Sequence, residues 1–300
     1  MSLPRMRTFM EVYRQRSISG AARSLNLTQP AVSQHIAGLE VAIGRPLFER
    51  SPSGVEPTSS ADELAMDIGD KLDAAEAALA SARARSMDIS GVLQIVGHAD
   101  FIAEILSEQM LPLLESGVNI RMHTGNGSMV SSMLLEGHCD LGISALPVID
   151  DRLKSERIYT SRVLPVAAPS VVERILSAGD FATAVRAEPL LAYNLELSLI
   201  EPWLIKNQIS VASLVPAVVS QDLRAQRKLL TKGFGWSVMP EFLCQEQIAR
   251  GELMEIPSPV GTREIHYFLI WAPSALRQVR VAHARQTLLT KLRELEQQKR

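Results

Sequence analysis

Cysteine is almost missing from this 300-residue chain, which carries only Cys139 and Cys244. Two thiols cannot staple a secreted scaffold, and without a CxxC pair or a Cys/His cluster no ligand set for structural zinc is written. Aromatic residues are sparse, at 5%. No apolar run approaches the roughly 18 to 20 residues of a membrane-spanning helix. The first twenty positions hold Arg5, Arg7, Glu11, Arg14 and Arg16 where a secretory leader has an apolar core. A cytoplasmic protein with no membrane partner is expected. Catalytic signatures are missing too: there is no Walker lysine, no GxSxG elbow and no HExxH. Gly125-Asn126-Gly127 and Gly233-Phe234-Gly235 each lack the third glycine of a dinucleotide fingerprint. Gly137-His138-Cys139-Asp140 offers ligand atoms, but adjacent residues on one turn cannot all converge, and a helix-to-strand turn in which Asp140 makes a structural hydrogen bond is the simpler reading. No catalytic residue, metal site or cofactor is expected, and the chain does not read as an enzyme.

What is present folds. Hydrophobic residues make up 46% and charged residues 21%, too mixed for disorder, and the length exceeds the roughly 250 residues at which single cores stop growing. The net charge of −2 is unevenly placed: residues 1–60 hold seven Arg and four Glu, a +3 segment, and the remainder carries −5. Only the N-terminal part attracts phosphate.

Residues 4 to 16 read as a helix, with Pro4 in its opening turn and Met6, Phe9, Met10 and Tyr13 on one stripe. Ser19 is placed to cap a short second helix ending at Leu25, and Asn26-Leu27 to turn the chain. Thr28 is placed to cap a third helix from Gln29 to Ile43, which Gly44 stops. At about 100° per residue, Val32, Ile36, Leu39 and Ile43 share one buried stripe. Pro30, Ser33, Gln34 and Ala37 then point outward, with Gln29 at the border. Such a face can enter a DNA major groove, since Gln offers a donor and acceptor pair to adenine, Ser pairs with several bases, and Ala or Pro carbon touches a thymine methyl. An ordinary solvated surface is the plainer alternative. Arg45 to Val55 reads as a β-wing, two short strands around a Pro/Ser/Gly turn. Arg50 beside that turn suits a phosphate contact, or an ion pair with Glu49 or Glu56.

These residues resemble the LysR-type transcriptional regulators. The match runs through Phe9, Ser17, Ala21-Ala22, Leu25, Gln29-Pro30-Ala31-Val32-Ser33, Ile36, Leu39-Glu40, Gly44 and Leu47-Phe48-Glu49-Arg50. The resemblance implies DNA contact by Gln29, Pro30, Ser33 and Gln34, with Thr28 and Arg50 on backbone phosphates. The chain departs from the family pattern at Pro57-Thr58 and Ala61-Asp62, where Leu-Thr and an Ala-Gly pair are usual.

From Ser59 to Arg85, Leu64, Ile68, Leu72, Ala75, Leu79 and Ala82 recur at three- and four-residue steps. This spacing is that of a coiled-coil seam and predicts a dimerising helix that pairs with a second copy, a helix packed on its own chain being the plainer alternative. Beyond a linker at Met87–Gly91, strands at 92–96, 119–123 and 141–145 alternate with helices at 101–114 and 129–136, which predicts a parallel sheet. Its carboxyl-end crevice would be lined by His98, Ala99, Asp100, Phe101, Asn126, Gly127, Ser128 and Ser144. Small polar residues opening a helix suit an anionic group, which Asp100 would repel.

The fold class expected is α/β with an N-terminal all-α winged helix-turn-helix, a linker helix, and a two-lobed, periplasmic-binding-protein-like (type 2) effector domain. The units are expected at 1–60, 61–90 and 91–300, with lobe 1 at 91–162 and 266–300 and lobe 2 at 163–265. The resemblance places the effector between the lobes, which adds Asn194, Ser198 and Gln221. The function expected is a sequence-specific, dimeric or tetrameric regulator. Its partners would be double-stranded DNA, a small-molecule effector and, through altered DNA geometry, RNA polymerase. The rival is a solute-binding module or enzyme in the α/β part, with the N-terminal helices used only for protein contacts.

Overall fold

The computed structural model describes residues 3–51, 54–84, 91–212, 214–257 and 263–298, and at residues 50, 77 and 80–84 the backbone only. Helices α1 (Leu3–Gln15), α2 (Ile18–Leu25) and α3 (Gln29–Ile43) pack around Phe9, Val12, Ala21, Val32 and Leu39. Ser17, not Ser19, caps α2. Its extended backbone lets its hydroxyl accept from the Gly20 amide at 3.1 Å, whereas the Ala21 amide that Ser19 would need already bonds the Ser17 carbonyl. Asn26 ends α2 in the left-handed region at φ 53°. Gly44 ends α3 likewise at φ 79°, a conformation that favours glycine.

Strands β1 (Phe48–Ser51) and β2 (Gly54–Pro57) form the antiparallel wing, with Arg50 opposite Val55. Pro52 and Ser53 of the expected turn lie outside the described residues. Thr58 then fixes the start of α4 (Ser59–Ala84), its hydroxyl donating to the Pro46 carbonyl at 2.9 Å and its amide to that of Leu47 at 3.0 Å. At ~1.5 Å per residue this helix is nearly 40 Å long. It buries Ala61, Ala65, Leu72 and Glu76 against its own chain. Of the expected seam, Leu72 is therefore committed inward, Leu64 and Ile68 are half-buried against the helical core, and Ala75 and Leu79 are exposed. The side chain of Ala82, and residues 85–90 of the expected linker, lie outside the described residues.

Strands β3 (Gly91–Gly97), β4 (Val118–Thr124) and β5 (Leu141–Ser144) are parallel, β3 lying between the other two. The crossover from β3 to β4 is not the single helix expected at 101–114. It is α5 (Ala99–Phe101), a π turn (Ile102–Leu106), α6 (Ser107–Gln109) and α7 (Leu111–Glu115). Ser107 donates its hydroxyl to the Ile102 carbonyl at 2.7 Å inside the wide turn, and Pro112 has no amide to continue the ladder. Helix α8 (Gly127–Leu135) covers the crossover from β4 to β5.

The long strand β6 (Lys154–Ala167) leaves this unit and enters a second one. The second unit holds α9 (Pro169–Ser177), α10 (Phe181–Ala187), β7 (Leu191–Ala192), α11 (Glu201–Lys206), β8 (Val218–Val219) and α12 (Leu223–Leu230), then β9 (Trp236–Pro240), α13 (Glu241–Ala249) and β10 (Met254–Glu255). Strand β11 (Arg263–Trp271) brings the chain back, antiparallel to both β6 and β5, with a register shift between Tyr267 and Phe268. A 3-10 turn (Pro273–Arg277) and α14 (Val279–Gln298) close the first unit. One core gathers Leu93, Ile95, Phe101, Tyr159 and Leu269. The other gathers Val163, Val171, Leu190, Trp203 and Trp236. Two lobes thus share one sheet through β6 and β11.

Candidate functional site

Two surfaces carry function-bearing side chains. The first is the outer face of α3. Thr28 caps the helix, its hydroxyl accepting from the Ala31 amide at 3.3 Å, and Pro30 occupies the first turn, where its missing amide costs nothing. Val32, Ile36 and Leu39 are buried, which turns Thr28, Gln29, Pro30, Ser33, Gln34 and Ala37 to solvent. His35 is anchored beneath: the Thr8 hydroxyl donates to the Pro4 carbonyl at 2.9 Å and accepts from His35 Nδ1 at 2.8 Å. Arg50 sits in the wing opposite Val55, and its side chain lies outside the described residues.

The second is a cavity of about 740 Å³ between the lobes. It opens beyond the carboxyl ends of β3, β4 and β5, as such sheets place their ligands. The first lobe supplies His98, Asp100, Asn126, Gly127 and Ser128, and the second supplies Asn194, Ser198 and Gln221, eight of the eleven positions named from sequence. Asn126 caps α8, its side-chain oxygen accepting from the Met129 amide at 3.2 Å and the Ser128 hydroxyl at 2.8 Å. Asn194 accepts from the Ser198 amide at 3.0 Å.

The other three stand elsewhere. Phe101 is fully buried in the core, stacked on Tyr267 with ring centroids 4.3 Å apart. Ser144 is buried behind Gly127, where a side chain would meet its hydroxyl at 3.2 Å. Ala99 opens α5 without lining the space.

The cavity also includes Tyr193, Leu146, Pro147, Leu199, Arg263, Glu264, His266 and Tyr267, which motif reading missed. Tyr193 immediately precedes Asn194 and was within reach of the same argument. The β11 residues carried no local signal, because they read as a strand whose cavity-facing side depends on the crossing of the lobes.

Asp100 is 4% exposed, and burial lifts its carboxyl above the ordinary carboxylate range. Burial pushes His98 down, toward the neutral ring. The Ala145 amide donates to His98 Nε2 at 3.5 Å, so Nδ1 carries the proton toward the Tyr193 hydroxyl, 3.4 Å away. Cys139 is buried, and its thiol is pushed up to about 11, chiefly by that burial. Its neighbour Asp140 accepts from the Gln94 amide at 2.9 Å, a strand-fixing bond. Among the described residues no group of three or more His, Cys, Asp or Glu could hold a metal ion, and no helix is long and apolar enough to cross a membrane.

A winged helix-turn-helix joined by a long helix to a two-lobed cleft defines a DNA-binding protein built to respond to a small ligand. The bacterial regulatory helix-turn-helix model of the lysR family matches residues 3–62, and the LysR substrate-binding domain model matches residues 90–293. The chain therefore belongs to the LysR family. It is a DNA-binding transcriptional regulator with an effector-binding domain. It is 31% identical to the HTH-type transcriptional regulator AbaB of Streptomyces antibioticus over 96% of this chain and 97% of that protein. Its fold is similar to CrgA of Neisseria meningitidis, at 18% identity and TM-score 0.59 over 97% of this chain and 99% of that one. It is also similar to ArgP of Mycobacterium tuberculosis, at 22% identity and TM-score 0.55 over 93% and 96%.

Proposed function

We propose that Gln29, Pro30, Ser33 and Gln34 read base edges in the major groove, with Thr28 and Arg50 on flanking phosphates, while an effector held in the interlobe cleft sets the geometry of the assembly. The observation that carries this is the outward face of α3, where short amides and a hydroxyl stand free because the aliphatic residues of the same helix are committed to the core. Two copies, paired through the α4 surface around Ala75 and Leu79, would hold two such helices about one DNA turn apart, and dimers can pair further into tetramers. The chain works in the cytoplasm, without catalysis: ligand binding redistributes conformations and alters DNA bending and access for RNA polymerase.

The test is binding to DNA flanking its own gene against random DNA. Gln34→Ala and Ser33→Arg, folded and dimeric, are expected to lose roughly 1–3 kcal/mol of discrimination. Unchanged discrimination overturns the reading. Arg50→Ala is expected to weaken all DNA alike and to flatten the salt dependence by about one phosphate.

A further inference from the structure

We propose that the cleft takes a small molecule bearing a protonated amine, which seats against Asp100, with its apolar body between the lobes. The assignment rests on the cleft being the effector site. Asp100 is 96% withdrawn from solvent yet lines the cavity wall, and its side chain accepts from backbone amides, that of Phe101 at 2.9 Å and its own. A buried carboxylate without a counter-charge is costly, and a cation is what relieves it.

Among the described residues no cationic side chain forms an ion pair with it, although His98 and Arg224 lie near enough to attract its charge. His98, on its own turn, attracts the Asp100 charge when protonated, but burial disfavours that form, and its ring nitrogens face Ala145 and Tyr193. Across the cleft, Asp222 at the start of α12 acts against the Asp100 charge. Arg224 attracts the Asp100 charge, but its guanidinium is bonded to that same Asp222 by contacts of 2.9 and 2.8 Å. Arg227 donates to Glu104 at 3.0 Å. Tyr193 and Tyr267 also line the space, and aromatic side chains favour a cation.

The rim has the same sign. Glu196 and Glu264 add two carboxylates against one guanidinium, Arg263, which donates to the Ser198 carbonyl at 3.1 Å. Such a wall disfavours a multivalent anion. Leu146, Pro147 and Leu199 provide the apolar surface for the remainder of the molecule, and about 740 Å³ is room for a ligand of ordinary metabolite size. The helix-opening residues at Asn126–Ser128, which by themselves suit a carboxylate, are thus outweighed by Asp100 in the choice of the main charge.

The experiment uses the full-length protein in calorimetry and thermal-shift titrations. The panel is a set of monoamines from n-butylamine to 2-phenylethylamine, each beside the acid and the alcohol of the same skeleton. The amines are expected to bind at least ten-fold more tightly than their acids and alcohols. Asp100→Asn, checked by circular dichroism, is expected to weaken amine binding about 10- to 100-fold while leaving alcohols unchanged. The proposal is overturned if acids match or exceed amines, if no amine binds, or if Asp100→Asn leaves amine binding intact. Ser198→Trp, which fills the cavity from the opposite lobe, separates the two readings. Acid binding that Ser198→Trp abolishes keeps the cleft and sinks the amine. Amine binding that Ser198→Trp leaves unchanged sinks the cleft itself.

Discussion

Asp100 and His98 share one turn and titrate in opposite senses. The folded pKa of Asp100 lies above the ordinary value of 3.8, so the folded state binds more protons in the interval between them, and stability falls as pH rises through it. Asp100→Asn is therefore expected to be more stable than the parent, without ligand, near neutral pH, and to lose that advantage as the pH falls toward 3.8. Urea midpoints at several pH values check it, and an advantage that grows toward acid contradicts the sign. His98 works the other way: its folded pKa lies below 6.5, so its contribution is lost as pH falls through that window. Gln226 is a purely structural case in the other lobe. It is fully buried, its amide donates to the Ala192 and Ser220 carbonyls at 2.8 and 2.9 Å, and its oxygen accepts from Ser237 at 2.9 Å. Gln226→Leu, which orphans those partners, is expected to cost about 2–3 kcal/mol in chemical denaturation.

Among the elements, α3 and α4 differ in how much their own residues decide. In α3 the cap, the stop and the buried stripe are all local, and Thr28, Val32, Leu39 and Gly44 stand as their spacing predicts. In α4 the three- and four-residue spacing shows that an apolar side exists without saying what covers it. Part of that side meets the helical core and α14, and Ala75 with Leu79 is left open. Leu79 is 45% exposed, so Leu79→Arg is expected to leave helix content and monomer stability unchanged while shifting the assembly toward single chains by light scattering. Leu72→Ala is instead expected to cost about 2–4 kcal/mol of stability, because Leu72 is buried in the core. The crossover between β3 and β4 was legible only as helical: its π turn depends on a Ser107 hydroxyl bond that no periodicity reveals.

At the scale of the whole molecule, a charged seam joins the DNA-binding end to the effector lobes. Arg277, in the turn before α14, reaches Glu11 of α1 at 3.1 Å and Glu76 of α4 at 3.7 Å, while Arg7 also pairs with Glu76 and Arg14 pairs with Asp73. Both Glu11 and Glu76 are buried, so these bonds persist only while the units stay in register. Arg277→Met is expected to keep ligand affinity within about two-fold but to abolish the ligand-dependent change in DNA affinity, measured as the ratio of DNA dissociation constants with and without ligand. Residues close in the chain already specified the helix-turn-helix, its outward face and the alternation of strands and helices, because caps, stops and apolar periods act over three to seven residues. Packing decided how the cleft's walls meet and added the β11 residues that no local signal marked. Asp100, Asn126, Tyr193, Gln221 and Tyr267 come from five separate segments and meet only because β6 and β11 cross between the lobes. The charge the cavity demands follows from the burial that crossing imposes, which no local pattern records.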